Sequence, residues 1–304
     1  MRPSIRASST AELGLGAPAP VARLRRGGAR AWLRRVRPPA RIGLAIVLLS
    51  VLVAIFAPLL APHDPVEIFS GQLRKPPSLR FLMGTDEVGR DILSRVIYGS
   101  RVSMRVGLIS VGIAAVCGTL LGLVAGYAGG WLDAVVMRAV DVLLAFPGIL
   151  LAIAIVAVLG PGIDNVMIAV GIEAIPAYVR TVRASTLSVR EHDFVLAARA
   201  SGAPAGRIVL RHILPNVLAP IIVLATLGVG LAILTAAGLS FIGIGAQPPT
   251  PEWGSMLATA RTYVREAPWI ATFPGLAIVA LVLALNLLGD GLREALDPRL
   301  HSAT

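Results

Sequence analysis

Lysine occurs once in the 304 residues, as Lys75 between Arg74 and Pro76. A phosphate-cradling loop needs a Gly-Lys pair, so a nucleotide site of the P-loop kind is excluded from this chain. Cysteine also occurs once, as Cys117 inside an apolar run. That rules out an internal disulfide and a cysteine-based metal site, and it predicts a small packing residue. The four histidines, His63, His192, His212 and His301, fall in loops or at the ends of apolar runs. None sits in an H-E-x-x-H arrangement and no G-x-S-x-G elbow is present, so the familiar hydrolase chemistries have no carrier. The acids around Gly89 do not follow the spacing of a calcium loop. No metal, cofactor or catalytic residue is expected.

Charge is scarce as well. Only 15% of the residues are charged while 56% are hydrophobic, against about 25% charged in a soluble domain. The mean hydropathy of +0.78 marks an integral membrane protein. The net charge of +11 does not call for nucleic acid, because much of it sits in one tail and in loops. Residues 1 to 41 carry ten arginines between Arg2 and Arg41 against the single acid Glu12. Such a tail is expected to be disordered, cytoplasmic and near anionic membrane lipid. The first apolar run begins at Ile42, behind that tail, which suits a retained anchor better than a cleaved leader.

Six segments are long enough to cross about 30 Å of hydrocarbon at 1.5 Å per helical residue. They fall near 42–61, 102–126, 134–158, 164–183, 216–240 and 269–289. With the basic tail inside, the 62–101 and 246–268 segments lie outside, and the segment between the fourth and fifth spans lies inside with the C-terminus. The expected division is a tail 1–41, an anchor 42–61, an external segment 62–101, a permeation domain 102–290 and a C-terminal tail 291–304. Gly118, Gly122, Gly126 and Gly130 form a four-residue stripe for close helix packing. Pro147, Pro176 and Pro274 are expected to bend later spans.

Both external segments read as short interfacial helices. Thr250 is expected to cap one, with Pro251 in its first turn and Trp253, Met256, Leu257, Ala260 and Val264 on one face. Thr85 is expected to cap the other, ahead of Asp86 and Glu87.

Ionisable residues within the spans are few. Arg138 and Asp141 stand three apart near the inner end of the third span and are expected to pair. Glu173 lies midway along the fourth span, where an ionised side chain costs at least a few kcal/mol. Two readings stay open for it: it lines a polar translocation path and meets a cationic substrate group, or it pairs with an arginine of a neighbouring helix or stays protonated. One lone acid is a thin basis for an ion-coupled secondary carrier, and no buried dyad supports a membrane enzyme.

The stretch LAARASGAPAGRIVLRHILP, from Leu196 to Pro215, separates the fourth and fifth spans. Ala197, Ala198, Ala200 and Ser201 would offer a helix surface with little bulk, and Gly202 followed by Pro204 would end that helix. Ile208, Val209 and Ile213 then alternate with Arg207, Arg211 and His212, and Leu214 with Pro215 is expected to stop this turn before the next span. A compact helical elbow beneath the membrane is expected, as a docking element for a cytoplasmic protein, with a passive re-entrant loop as the alternative.

The Ala-Ala pair, the Gly four residues on, and Leu-Pro twelve and thirteen residues after that Gly resemble the EAA motif of binding-protein-dependent ABC importer permeases. Further resemblance to the C-type subunit of the dipeptide, oligopeptide and nickel importers is carried by GTDEVGRDILSRVIYGSRVS, RAVDVLLAFPGILLA, AGLSFIGIGAQPPTPEWGSML, APWIATFPGLAI and NLLGDGLREALDPRL. It covers roughly residues 41 to 300. The resemblance implies an all-α type-1 importer permease with six transmembrane helices and a cytoplasmic coupling helix, in the inner membrane of a prokaryote. It implies as partners a homologous B-type permease, two cytoplasmic ATP-binding subunits and an extracytoplasmic substrate-binding protein. Ala197, Ala198, Gly202, Leu214 and Pro215 are the coupling positions it marks, with Glu173 the candidate for the translocation path. Short peptides are the expected cargo, with nickel, a glutathione-like peptide or another small solute as the alternative. The leading Glu of the motif is Leu196 here, so an ion pair to the ATPase from that position is not implied.

Overall fold

A computed structural model describes residues 38–296. The expectations for the Arg-rich tail before Pro38, and for the tail after Leu296, lie outside the described residues. The described chain is helical, with one isolated bridge between Thr85 and Asp91. In chain order the helices are α1 (Pro38–Ile55), α2 (Ala57–Leu60), α3 (Ile92–Ala128), α4 (Gly130–Leu144), α5 (Gly148–Leu159), α6 (Ile163–Val189), α7 (Asp193–Ala200), α8 (Ala205–Arg207), α9 (Leu214–Phe241), α10 (Trp253–Ala260) and α11 (Trp269–Leu296). A π-helical stretch, Ile208–Ile213, joins α8 to α9. Five of these segments are long and apolar enough to cross a membrane, and the bent pair α4 and α5 makes a sixth.

That pair departs from the straight third span expected at 134–158. The two halves meet at 91°. Pro147 explains the break, because it donates no backbone hydrogen and excludes the residue before it from helical geometry. Pro176 and Pro274, by contrast, lie inside uninterrupted helices. Their missing donors are tolerated where neighbouring helices pack closely.

α3 and α6 form the central pair and run in parallel. At Gly122 a Cβ would fall 2.7 Å from that of Val182, and at Gly126 a Cβ would fall 2.7 Å from that of Thr186, while Gly118 lies against Tyr178. The stripe therefore packs as expected over three positions. Gly130 lies beyond it, with φ +57 and open space where a Cβ would stand. The core around this pair gathers Val106, Ala114, Val166, Val170, Tyr178 and Leu239, all almost fully enclosed. Cys117 is exposed on the outer face of α3 rather than packed inside.

The segment ahead of α3 corrects a second expectation. Thr85 caps no helix: it is buried, takes the Lys75 N–H at 2.8 Å and receives the Trp269 indole N–H on its carbonyl at 3.2 Å. Asp91 is the N-cap instead, accepting the Ser94 N–H at 3.0 Å. From there α3 continues for 37 residues, about 55 Å, so the interfacial helix and the second span are one rod. Asp86 organises the turn below it, accepting Arg90 Nε at 2.6 Å and facing Arg95 Nε at 3.5 Å.

α10 exists, but Glu252 caps it rather than Thr250. Its carboxylate takes the N–H of Gly254 and of Ser255, each at 2.8 Å. Trp253, Met256 and Ala260 face inward as the periodicity requires, while Val264 lies past the helix end and is exposed.

Candidate functional site

The elbow between α6 and α9 is built by local rules. α7 begins with Asp193 in its first turn and ends with Arg199 in its last, both signs suiting the helix dipole. Its C-terminus closes as a Schellman motif: Gly202 N–H bonds to the Arg199 carbonyl at 3.0 Å and Ala203 N–H to the Ala198 carbonyl at 3.1 Å. Gly202 takes φ +75, where a side chain would be strained, and nothing lies within 4 Å of where its Cβ would stand. The glycine is thus demanded by the turn itself, and its surroundings are open.

Val195, Ile208 and Ile213 are buried and join Leu123, Val182 and Val217 from the ends of α3, α6 and α9. That apolar seat fixes the elbow to three helices at once. Arg190 adds a polar tie, donating to the Gly126 carbonyl at 2.9 Å. The opposite side is bare: Ala197, Ala200, Ser201 and Gly202 are exposed, while Ala198 is half-buried. Leu196, standing where the resembling motif has Glu, is 43% exposed beside Phe194 at 43%.

Leu214 and Pro215 do not stop a helix. Residues 205–241 run as one segment, with the Leu214 N–H returning five residues to the Val209 carbonyl. Pro215 falls in the opening turn of α9, where its missing donor is tolerated. The five positions expected to couple are therefore divided between the α7 turn and the root of a spanning helix.

The other candidate residue stands apart from the elbow. Glu173 is half-buried on α6, about ten residues, or roughly 15 Å, from the start of that helix. Among the described residues it makes no hydrogen bond or ion pair. Its carboxyl carbon stands 2.9 Å from where a Cβ at Gly148 would lie, so it packs on the first residue of α5. The two candidate groups are not brought together.

Arg138 and Asp141 do not pair with each other. Asp141 instead accepts Arg180 Nη2 at 2.9 Å, on an exposed face. One turn further along α6, Arg183 grips Asp133 through both carboxylate oxygens at 2.5 and 2.6 Å. These two pairs bind α4 to α6. Sequence reasoning passed over the Asp133–Arg183 pair, because a contact between two helices fifty residues apart carries no fixed spacing in the chain.

The family model for the inner membrane component of binding-protein-dependent transport systems matches residues 118–302. The N-terminal transmembrane domain of oligopeptide transport permease C matches residues 29–77. A dipeptide transport system permease protein of Alkalihalophilus pseudofirmus is 51% identical over 263 residues, covering 86% of each chain. A di/tripeptide transport system permease protein of Pseudomonas aeruginosa is 52% identical over 267 residues, 86% of this chain and 88% of that one. A glutathione transport system permease protein of Escherichia coli is 52% identical over 271 residues, 88% and 89% of the two chains. Among solved structures, a chain of the MetNI methionine ABC transporter in an inward-facing conformation matches with TM-score 0.56 at 19% identity, over 67% of this chain and 97% of that one. At that identity the likeness shows the fold alone. The chain belongs to the binding-protein-dependent transport family, as a multi-pass inner membrane permease subunit of an ABC transporter of the C type.

Proposed function

We propose that this permease forms half of the pore of an ATP-driven importer of short peptides and passes work from a separate ATPase to that pore. The observation that carries the coupling role is the elbow at residues 193–215. It is seated by Val195, Ile208 and Ile213, while α7 turns Ala197, Ala200 and Gly202 outward. A flat surface of small residues on a fixed seat can receive a push and hand it to α3, α6 and α9 without deforming. Ala197, Ala198 and Gly202 are the docking positions, and Leu214 and Pro215 root the elbow in α9.

The partners in this reading are a homologous B-type permease across the pore, two cytoplasmic ATP-binding subunits beneath the elbow and an extracytoplasmic substrate-binding protein opposite. Both termini and the elbow lie on the cytoplasmic side, following the basic loop charges. The division into tail, anchor, external segment and permeation domain at 102–290 follows the same orientation. ATP-driven closure draws the elbows together and rocks the two bundles from inward-open to outward-open. Glu173 lines the translocation path, and the chain itself breaks no bond. The identity to peptide permeases supports short peptides as cargo. A glutathione-like peptide is the second reading, favoured by the equal 52% identity to the glutathione permease.

The test is reconstitution of this chain with its neighbouring permease, ATPases and binding protein in liposomes. Di- and tripeptide uptake that requires ATP and survives an uncoupler supports the reading. Uptake by this chain alone, collapsed by an uncoupler, sinks it.

A further inference from the structure

Glu173 opens onto a cavity of about 170 Å³ lined by α3, α4, α6 and α9. Its walls are mainly apolar, with Val111, Leu144, Val170, Leu224, Leu231 and Ala232 among them. The cavity's polar wall groups include Ser110, which donates to the Met167 carbonyl at 2.9 Å, and Tyr178, which donates to the Leu224 carbonyl at 3.4 Å. Those two donors are already engaged. Glu173 is the single charged group in the wall, and no described residue pairs with it.

The carboxylate is also held in place. It packs against Gly148, the first residue of α5, which opens the second half of the broken span. The first N–H groups of a helix have no partner within it, and their dipole favours a negative charge nearby. The 91° break delivers that helix end to membrane depth beside Glu173. A carboxyl group placed there without a cation of its own is set to receive one.

We infer that the cavity behind Glu173 is a binding pocket for a primary ammonium carried on one small apolar group, such as the amino end of a short peptide whose first side chain is aliphatic or aromatic. The ammonium pairs with Glu173 and the apolar group fills the space between α3, α6 and α9. A cavity of about 150 Å³ accommodates benzene, so the volume suits one side chain and excludes a whole tripeptide. No cationic group lines the wall, so the carboxyl end of the ligand stays outside. An amine lacking a carboxylate is therefore a sufficient ligand. The inference rests on the importer reading and adds an amino-end subsite within the path.

The test uses the permease–ATPase complex in nanodiscs without the binding protein, with tritiated leucinamide as probe and N-acetyl-leucinamide as control. Saturable leucinamide binding is expected, with no binding of the acetylated amide. Affinity should fall at least tenfold in Glu173→Gln and in Ala232→Leu, which fills the cavity. Absence of binding to the wild type, equal binding of the acetylated amide, or unchanged affinity in either variant overturns the proposal. Loss of the partner permease from the Glu173→Gln complex, with no leucinamide bound by the wild type, overturns it in favour of an inter-subunit ion pair. Peptide uptake is measured in parallel: ATP-driven uptake without leucinamide binding leaves the importer standing and removes the pocket, whereas absent uptake condemns the importer reading separately.

Discussion

Arg183 holds Asp133 in a two-pronged ion pair, Nε to one carboxylate oxygen at 2.5 Å and Nη2 to the other at 2.6 Å. The pair joins the first turn of α4 to the last turns of α6, fifty residues later. It is partly screened, with the two side chains 29% and 21% exposed. α4 thus moves with α6, the helix that leads into the elbow.

Asp133→Asn should weaken this tie without preventing insertion. Allowing for the partial exposure, a loss of about 1 kcal/mol is expected. The thermal midpoint of the purified complex should fall, and the exchanged pair Asp133→Arg with Arg183→Asp should recover most of it. An unchanged midpoint in Asp133→Asn would show that the pair contributes nothing.

The α3–α6 contact makes a sharper contrast. Gly122→Ala places a Cβ 2.7 Å from that of Val182 and 2.9 Å from the Val179 carbonyl, so helix backbones must separate. Overpacking of this kind costs about 1–3 kcal/mol. Gly112→Ala, on the same helix with nothing within 4 Å, should be neutral or slightly stabilising. Denaturation curves of the two variants side by side measure the difference.

At the elbow, Ala197→Trp should leave the fold intact because the position is exposed, yet block close approach of the ATPase. ATP hydrolysis by the complex should persist while peptide uptake falls by an order of magnitude or more. Wild-type uptake would remove Ala197 from the docking surface. Gly202→Trp is a less clean probe, since φ +75 strains any side chain there whether or not a partner approaches.

Glu252 supplies a dependence on pH. Burial raises its pKa above 4.5, although the N–H groups of Gly254 and Ser255 and the Ser240 hydroxyl pull the other way. The folded state therefore binds this proton more tightly than the unfolded chain does. Its contribution to stability is fully present below about 4.5 and is lost as pH rises through the elevated folded value. Melting temperatures taken upward from pH 4.5 should decline across that window, and Glu252→Gln should flatten this part of the profile. A variant with the same slope as wild type would assign the decline to other groups.

The spans were legible because hydropathy is a sum over about twenty neighbours and needs no knowledge of the fold. The glycine stripe was legible for a similar reason, since its period belongs to one helix. What escaped were choices settled by distant residues. Thr85 looked like a cap because of Asp86 and Glu87, yet Lys75 and Trp269 claim its polar groups. Asp141 looked matched to Arg138 on its own helix, while Arg180 approaches from another. At the candidate site, Gly202 and its turn were readable from local chemistry. The cavity behind Glu173 was not, because four helices build it.

The π-helical stretch at Ile208–Ile213 holds each bond one residue wider than its neighbours do. Each residue of an α-helix advances the chain by about 100° around the axis. A turn that closes over one extra residue absorbs it, so removing one residue here and letting the stretch relax to α pitch would leave α9 whole and the exposed alanines near their present azimuth. The bearing of the elbow on α9 is thus buffered against one residue of slack in the chain that joins them.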